Sequence, residues 1–314
     1  MALINNDTWK LIPCNYDKNL LECKCIYRIK YNSNGSVEQF KARIVVFGNH
    51  HQCDSCDTSM LTLKFHGHLF NLLLYVDDIL LTVSSTELVT KFIVVLSSQF
   101  AIKDLGALHY FLGVQAVRTP SGLFLPQNKY ISYLLRKFHL HTVKPVRTPV
   151  VSRVTLFILD GDLLLDPTYY RSLVGSLQYL TMTRPNVAYA VNMVSQFIYM
   201  LLVLLTFMLY MKRIFRYLQG TLDFDLVLLS STSSTVVIAY SDADWAGCPH
   251  TRRSTNGYVV FLGKNLISWH SNNQPIVSKT STEADYRTVA YTATRTIWLR
   301  QLLANIDHFS FDDM

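Results

Sequence analysis

The stretch Asn71-Leu-Leu-Leu-Tyr75-Val76-Asp77-Asp78-Ile-Leu-Leu-Thr82 constrains the chain more than any other. Two apolar runs, Leu72 to Val76 and Ile79 to Leu81, enclose a pair of adjacent carboxylates. Runs of this length read as buried strand. Ionised carboxylates inside such a run are costly unless cations or donors compensate them. Taken alone, an Asp-Asp step after a strand is more often an ordinary turn. The flanking aromatic and the apolar arms favour a β-hairpin tip that directs Asp77 and Asp78 at bound Mg²⁺.

A chain of 314 residues can hold two domains and bury a sizeable core. Its formal net charge of +7 is compatible with a polyanionic partner, although a basic balance is weak evidence by itself. Charged residues make up 16% of the chain, below the usual quarter, so it is unusually apolar for a soluble protein. The N-terminal residues Met1 to Lys10 are polar and show no secretory signal, so an intracellular, reducing setting is expected and disulfides are not. His50-His51-x-Cys53-x-x-Cys56 has zinc-knuckle spacing. No second Cys-x-x-Cys pair is suitably placed, which argues against zinc.

Taken in order, the chain first reads as β: Cys25 to Lys30 and Val37 to Phe47 are strand-like, joined at Asn34-Gly35. Arg28 and Lys30 alternate onto one face of the first strand, and Lys41 and Arg43 onto one face of the second. Phosphate contacts and a plain solvated face are equally compatible with that pattern. Ser84-x-x-Glu87 has capping-box spacing ahead of Leu88, Phe92, Val95 and Leu96. His109 to Arg118 and Gly122 to Pro126 form a hairpin across Thr119-Pro120-Ser121-Gly122. Lys129 to Phe138 is amphipathic, and a helix starts at Asp166-Pro167 with Tyr170, Leu173, Val174, Leu177 and Leu180 on one face. Phe197 to Met211 has one polar side chain, Thr206, yet is short for a membrane span. Lys212, Arg213 and Arg216 form a basic patch in a helix closed by Gly220. Solvation near the helix C-terminus and contact with a duplex backbone both suit that patch. Strands at Thr235 to Ser241, Tyr258 to Gly263 and Leu266 to His270 precede a long helix opened by Ser281-Thr282-Glu283-Ala284-Asp285-Tyr286.

Tyr75-Val76-Asp77-Asp78 resembles the polymerase signature of reverse transcriptases, and its flanks resemble copia-type LTR retrotransposons. Further stretches resemble the same Pol polyprotein in the same order. They are Asp104-Leu-Gly-Ala-Leu-His-Tyr-Phe-Leu-Gly113, Tyr170-Arg-Ser-Leu-Val-Gly-Ser-Leu-Gln-Tyr-Leu180, Thr183-Arg-Pro185, Lys212-Arg-Ile-Phe-Arg-Tyr-Leu-Gln-Gly220 and Tyr240-Ser-Asp-Ala-Asp-Trp-Ala-Gly247. The resemblance implies an α+β fold, a partial reverse-transcriptase palm and thumb with a YVDD hairpin, followed by an incomplete RNase H-like α/β module. It divides the chain into a fingers-like β-hairpin remnant at 1–48, a palm-like remnant at 56–150, thumb or connection helices at 151–225, a truncated RNase H-like domain at 235–306 and a tail at 307–314.

By resemblance, Asp77, Asp78, Asp242 and Asp285 are catalytic carboxylates, and Asp77, Asp78 and Asp242 ligate Mg²⁺. Arg28, Lys30, Lys41 and Arg43 would touch template as fingers do, and Lys212, Arg213 and Arg216 a duplex. RNA and RNA–DNA hybrid are the implied partners, a membrane is not, and the implied setting is the cytoplasm or a virus-like particle. The sequence departs from this pattern where the family's palm strand carries a further metal-binding Asp. Between Gly48 and Tyr75 the acids are Asp54 and Asp57, neither in a strand-like context. Asp285 stands where the pattern has Glu, and the next acid-bearing strand of the RNase H pattern does not follow before residue 314. The expectation is a polypeptide, truncated and internally deleted relative to the family, that catalyses neither reaction. The alternatives are a non-catalytic nucleic-acid-binding protein and a membrane-attached or aggregation-prone product through Phe197 to Met211.

Overall fold

The computed structural model describes residues 23–31, 36–46, 60–65, 67–76, 78–100, 102–150, 167–198, 205–230, 236–248 and 251–307. The Asn34-Gly35 turn, the Cys53/Cys56 pair, Asp54, Asp57 and Asp77 lie outside them. The chain divides into two units, Met1–Cys56 and Asp57–Met314. In the first, β1 (Cys23–Tyr31) pairs antiparallel with β2 (Val37–Val46). Arg28 stands opposite Lys41 and Ile26 opposite Arg43, with an irregularity between Lys30 and Tyr31.

The second unit begins with a sheet of order β3-β4-β5, formed by Met60–Phe65, His68–Tyr75 and Asp78–Val83. Gly67, at φ +80, lies in the β3–β4 connection, a conformation glycine adopts without a Cβ penalty. The arms are less buried than the apolar run suggests: Phe70 is buried, whereas Leu61, Leu63, Tyr75 and Ile79 are exposed. One helix, α1 (Thr86–Gln99), packs on this sheet through Phe92, whose ring lies 5.5 Å from that of Phe70. Val94 and Val95 of α1 are exposed, so the face expected from Leu88, Phe92, Val95 and Leu96 is only partly used. The expected capping box does not form. With Ser85 as N-cap, Glu87 falls one position short of the capping site, and the Ser84 hydroxyl pairs instead with His68 Nδ1 at 2.8 Å.

The segment expected as one strand from His109 to Arg118 is broken into three pieces. β6 (Tyr110–Phe111) and β7 (Val114–Gln115) close on a two-residue turn in which Leu112 and Gly113 both have positive φ. β8 (Val117–Thr119) then pairs with β9 (Gly122–Leu125) across Pro120-Ser121, as the sequence indicates. A later strand, β10 (Leu226–Leu229), pairs with the other edge of β9. Gly122, at φ +149, lies so close to the Leu228 carbonyl that a Cβ would overlap it.

The main core is helical. α2 (Asn128–Lys137), α3 (Pro167–Leu180), α4 (Ala188–Ser195) and α5 (Leu205–Gln219) converge on Ile131, Leu134, Leu173, Leu177, Val191 and Phe215, among others. All five apolar residues read from the spacing of α3 are buried there, from Tyr170 to Leu180. A 3-10 turn at Pro185–Val187 separates α3 from α4, where Thr183-Arg184-Pro185 predicts the break. Among the described residues no helix is long and apolar enough to cross a membrane.

The C-terminal module is an antiparallel sheet of order β11-β12-β13, Val237–Asp244, Thr255–Leu262 and Asn265–Asn273, followed by α6 (Ser281–Asp307). α6 covers one sheet face, with Tyr291, Trp298 and Leu299 against Val237, Tyr258, Val260 and Ile267. α4 approaches the other face, where Gln196 Nε2 donates to Asn273 Oδ1 and Trp269 Nε1 to the Thr181 carbonyl, at 3.2 and 2.7 Å.

Candidate functional site

The β4–β5 pairing runs to its tip, with Tyr75 opposite Asp78. Val76 has φ +51 and is 83% exposed. That conformation is strained for a β-branched residue, and such strain concentrates at functional sites. Asp78 is exposed at the start of β5, and the structure does not describe Asp77.

The second group of expected carboxylates lies in the C-terminal module. Strand alternation puts Tyr240, Asp242 and Asp244 on the face turned away from α6. Asp242 opens into a cleft of about 320 Å³ whose walls include Tyr189 of α4, Tyr240, Val259 and Trp269. Burial, and then the nearby Asp244 charge, push the Tyr189 phenol above its ordinary pKa. Asp244 itself accepts the Thr255 backbone N–H at 2.7 Å and so fastens the end of β11 to β12. Asp285 is exposed on α6, which covers the opposite face. The structure therefore does not bring Asp242 and Asp285 together.

Glu283, not singled out from the sequence, has a defined role at the start of α6. Thr280 Oγ1 accepts the Glu283 backbone N–H at 3.1 Å, and Glu283 Oε2 accepts that of Lys279 at 2.8 Å. The Arg287 guanidinium donates twice to Glu283 Oε1, at 2.7 and 3.1 Å. The signal was present as a Thr-x-x-Glu capping box, Thr280 to Glu283. The Arg287 hydrogen bonds, followed by the Lys279 N–H, hold this carboxyl below its ordinary value of 4.5. A depressed folded-state pKa adds stability that is complete above the ordinary value and is lost as pH falls through the depressed one. Thermal melts of wild type should therefore decline below pH 4.5 more steeply than those of Glu283→Gln; identical acid limbs would contradict this role.

The reverse-transcriptase (RNA-dependent DNA polymerase) family matches residues 54–152, which include the hairpin and α1. An uncharacterized mitochondrial protein of Arabidopsis thaliana is 48% identical over 227 residues, covering 72% of this chain and 93% of that protein. The Retrovirus-related Pol polyprotein from transposon RE1 of Arabidopsis thaliana is 44% identical over 250 residues, 80% of this chain. The corresponding polyprotein from transposon TNT 1-94 of Nicotiana tabacum is 36% identical over 252 residues, 75% of this chain. The chain belongs to the copia-type retrotransposon Pol family. It spans only 17% and 18% of the RE1 and TNT 1-94 polyproteins. No solved structure matches it.

Reverse transcriptases generally use divalent metals, and Mg²⁺ takes near-octahedral oxygen ligands, usually from carboxylates together with substrate phosphates. Among the described residues no group of three or more His, Cys, Asp or Glu side chains could hold a metal ion. Among the described residues, neither Asp78 nor Asp242 belongs to such a group. The basic patch of this Pol segment is also partly committed elsewhere. Arg213 Nη2 donates to Thr148 Oγ1 at 2.8 Å and Arg216 Nε to the Lys144 carbonyl at 2.7 Å, which ties α5 to the 144–148 loop. Lys212 is exposed.

Proposed function

We propose that this Pol segment derives from an RNA-directed DNA polymerase with RNase H and catalyses neither reaction. The observation that carries this reading is the division of Asp242 from the α6 acids by the sheet. Two-metal phosphoryl transfer needs carboxylates on both sides of ions about 3.5–4 Å apart. Glu283 is engaged by Arg287 and Lys279, and Asp285 lies on the helix across the sheet from the Asp242 cleft. At the YVDD motif the two acids are neighbours in sequence, so they supply ligands from a single stretch of backbone. The sequence from Gly48 to Tyr75 adds Asp54 and Asp57 without a strand-like context for either.

Primer extension on an RNA template, with Mg²⁺ or Mn²⁺, is expected to give no incorporation above that of Asp78→Asn. Cleavage of an RNA–DNA hybrid is expected to match that of Asp242→Asn. Incorporation abolished by Asp78→Asn, or cleavage abolished by Asp242→Asn, would overturn the proposal.

A second reading, association with RNA or RNA–DNA hybrid without chemistry, is favoured by the β1–β2 register. Arg28 opposite Lys41, with Arg43 two residues further along β2, gives one face of the ribbon a run of basic positions. The inward engagement of Arg213 and Arg216 makes α5 a weaker candidate for the same contact.

A further inference from the structure

Strand register arranges the side chains of β11, β12 and β13 in cross-strand rows on the sheet face turned away from α6. One row is Tyr240, Val259 and Trp269, since Tyr240 stands opposite Val259 and Val259 opposite Trp269. The next row is Asp242, Gly257 and Ser271. Gly257 brings no side chain, so this second row is open at its middle. A Cβ added there would meet nothing nearer than the Asp242 carbonyl at 3.8 Å, an ordinary contact distance. Both rows line the cleft of about 320 Å³ whose other wall includes Tyr189 of α4.

The walls of this cleft are aromatic and acidic. Tyr189, Tyr240 and Trp269 bring rings from three different elements, and the walls include the Asp242 carboxylate but no Lys or Arg. Asp244 adds a second negative charge beside Tyr189, whose phenol is pushed up by burial and then by that carboxylate. His270, on the same walls, is held below its ordinary pKa of 6.5 by burial and then by the Arg295 charge, so it is neutral at pH 7. Two of the rings are fixed by contacts of their own. Trp269 Nε1 donates to the Thr181 carbonyl at 2.7 Å, and Tyr240 meets Phe261 edge-on with centroids 6.2 Å apart. Rings ordered in advance lose little freedom when a ligand arrives. Ser271 Oγ is buried and has no hydrogen-bond partner among the described residues, so a donor reaching it satisfies a group that is otherwise costly.

We propose that the Asp242 cleft binds a small arylalkylammonium ion, its apolar body among the Tyr189, Tyr240 and Trp269 rings and its N–H groups on the Asp242 carboxylate and the Ser271 hydroxyl. A cation beside aromatic faces is attracted by the ring quadrupoles, more strongly where water is excluded. The carboxylate adds a charge-assisted hydrogen bond. The volume stands at the small end of ligand cavities, which suits a body of one ring rather than a polymer. A phosphate or carboxylate ligand would find no cation on these walls and would meet Asp242 and Asp244 instead. The site needs no metal and holds whether or not the catalytic reading stands.

The test is isothermal titration calorimetry of the full chain with phenethylammonium, in EDTA so that no divalent ion competes for Asp242. Saturable one-to-one binding is expected, and phenethyl alcohol and phenylpropionate, of similar shape but neutral and anionic, should bind far more weakly. Asp242→Asn should weaken phenethylammonium about tenfold, the size of one lost charge-assisted hydrogen bond. Tyr240→Leu should weaken it about threefold, whereas Tyr240→Phe, which keeps the ring, should bind as wild type does. Gly257→Val fills the open middle of the second row at a strand position where valine is favoured, so it should abolish binding without lowering the melting temperature. Equal affinity for phenethyl alcohol or phenylpropionate would overturn the choice of a cation. Tighter binding of n-butylammonium, which has the shape of a lysine side chain, would overturn the aryl body. Undiminished binding in Gly257→Val would overturn the cleft, and no saturable binding of phenethylammonium would overturn the proposal as a whole.

Discussion

Phe215→Ala should lower the unfolding free energy by about 3–5 kcal/mol, the range for emptying a fully buried aromatic site. Phe215 is completely buried on α5 and lies against Phe138, ring centroids 5.8 Å apart, where α5 and the end of α2 meet. Met211, Ile214 and Leu218 surround it on α5, and all three are themselves buried. The helices around it are fixed by other contacts, including the Tyr170 hydroxyl donating to the Val194 carbonyl at 2.7 Å, so the site cannot collapse fully. Urea denaturation followed by tryptophan fluorescence measures the change. A loss under about 1 kcal/mol would mean that the helical core is not packed as described.

Arg184→Ala should cost about 3 kcal/mol, because a buried guanidinium loses several hydrogen bonds at once. Arg184 is 2% exposed, and its Nη1 and Nη2 donate to the carbonyl and hydroxyl oxygens of Thr221 at 3.0 and 2.7 Å. Its Nε donates to Asn186 Oδ1 at 3.3 Å, and the group lies 5.8 Å from the Phe224 ring. These contacts join the α3–α4 turn to the end of α5. Arg184→Lys should recover little, since one ammonium cannot reproduce the planar fork. A lysine variant as stable as wild type, in the same denaturation measurement, would contradict the role given to this arginine.

Local patterns were legible wherever one element decided the outcome. The apolar spacing of α3 predicted each of its buried residues, Pro120-Ser121 marked a real chain reversal, and Thr183-Arg184-Pro185 marked a real helix break. Ser84 misled because its hydroxyl has a long-range partner, His68, that spacing along the chain cannot reveal. Leu112 misled because a positive φ in a leucine leaves no compositional mark, and the Tyr179 hydroxyl from α3 donates to its carbonyl. The arms of the Asp77-Asp78 hairpin look like a fully buried strand pair, yet their exposure depends on which elements cover the sheet.

The same distinction governs the candidate sites. Asp242 and Asp285 could be read from their motifs, but whether a sheet stands between them depends on strand alternation and on the face that α6 takes. Arg213 and Arg216 read as a solvated or phosphate-facing pair until the 144–148 loop is placed beside them. Tyr240 and Asp242 share a strand face by spacing alone, whereas Trp269 and Tyr189 join them only through the strand register and the placement of α4.

Manganese binding tests the central claim most directly, because Mn²⁺ takes the same oxygen ligands as Mg²⁺ and its paramagnetism reports the bound fraction. Titration of the full chain in the absence of nucleic acid should show no stoichiometric Mn²⁺ site whose occupancy depends on Asp78 or Asp242. One or two equivalents of tightly bound Mn²⁺, released by Asp78→Asn or by Asp242→Asn, would show that a carboxylate cage does close and would contradict the assignment.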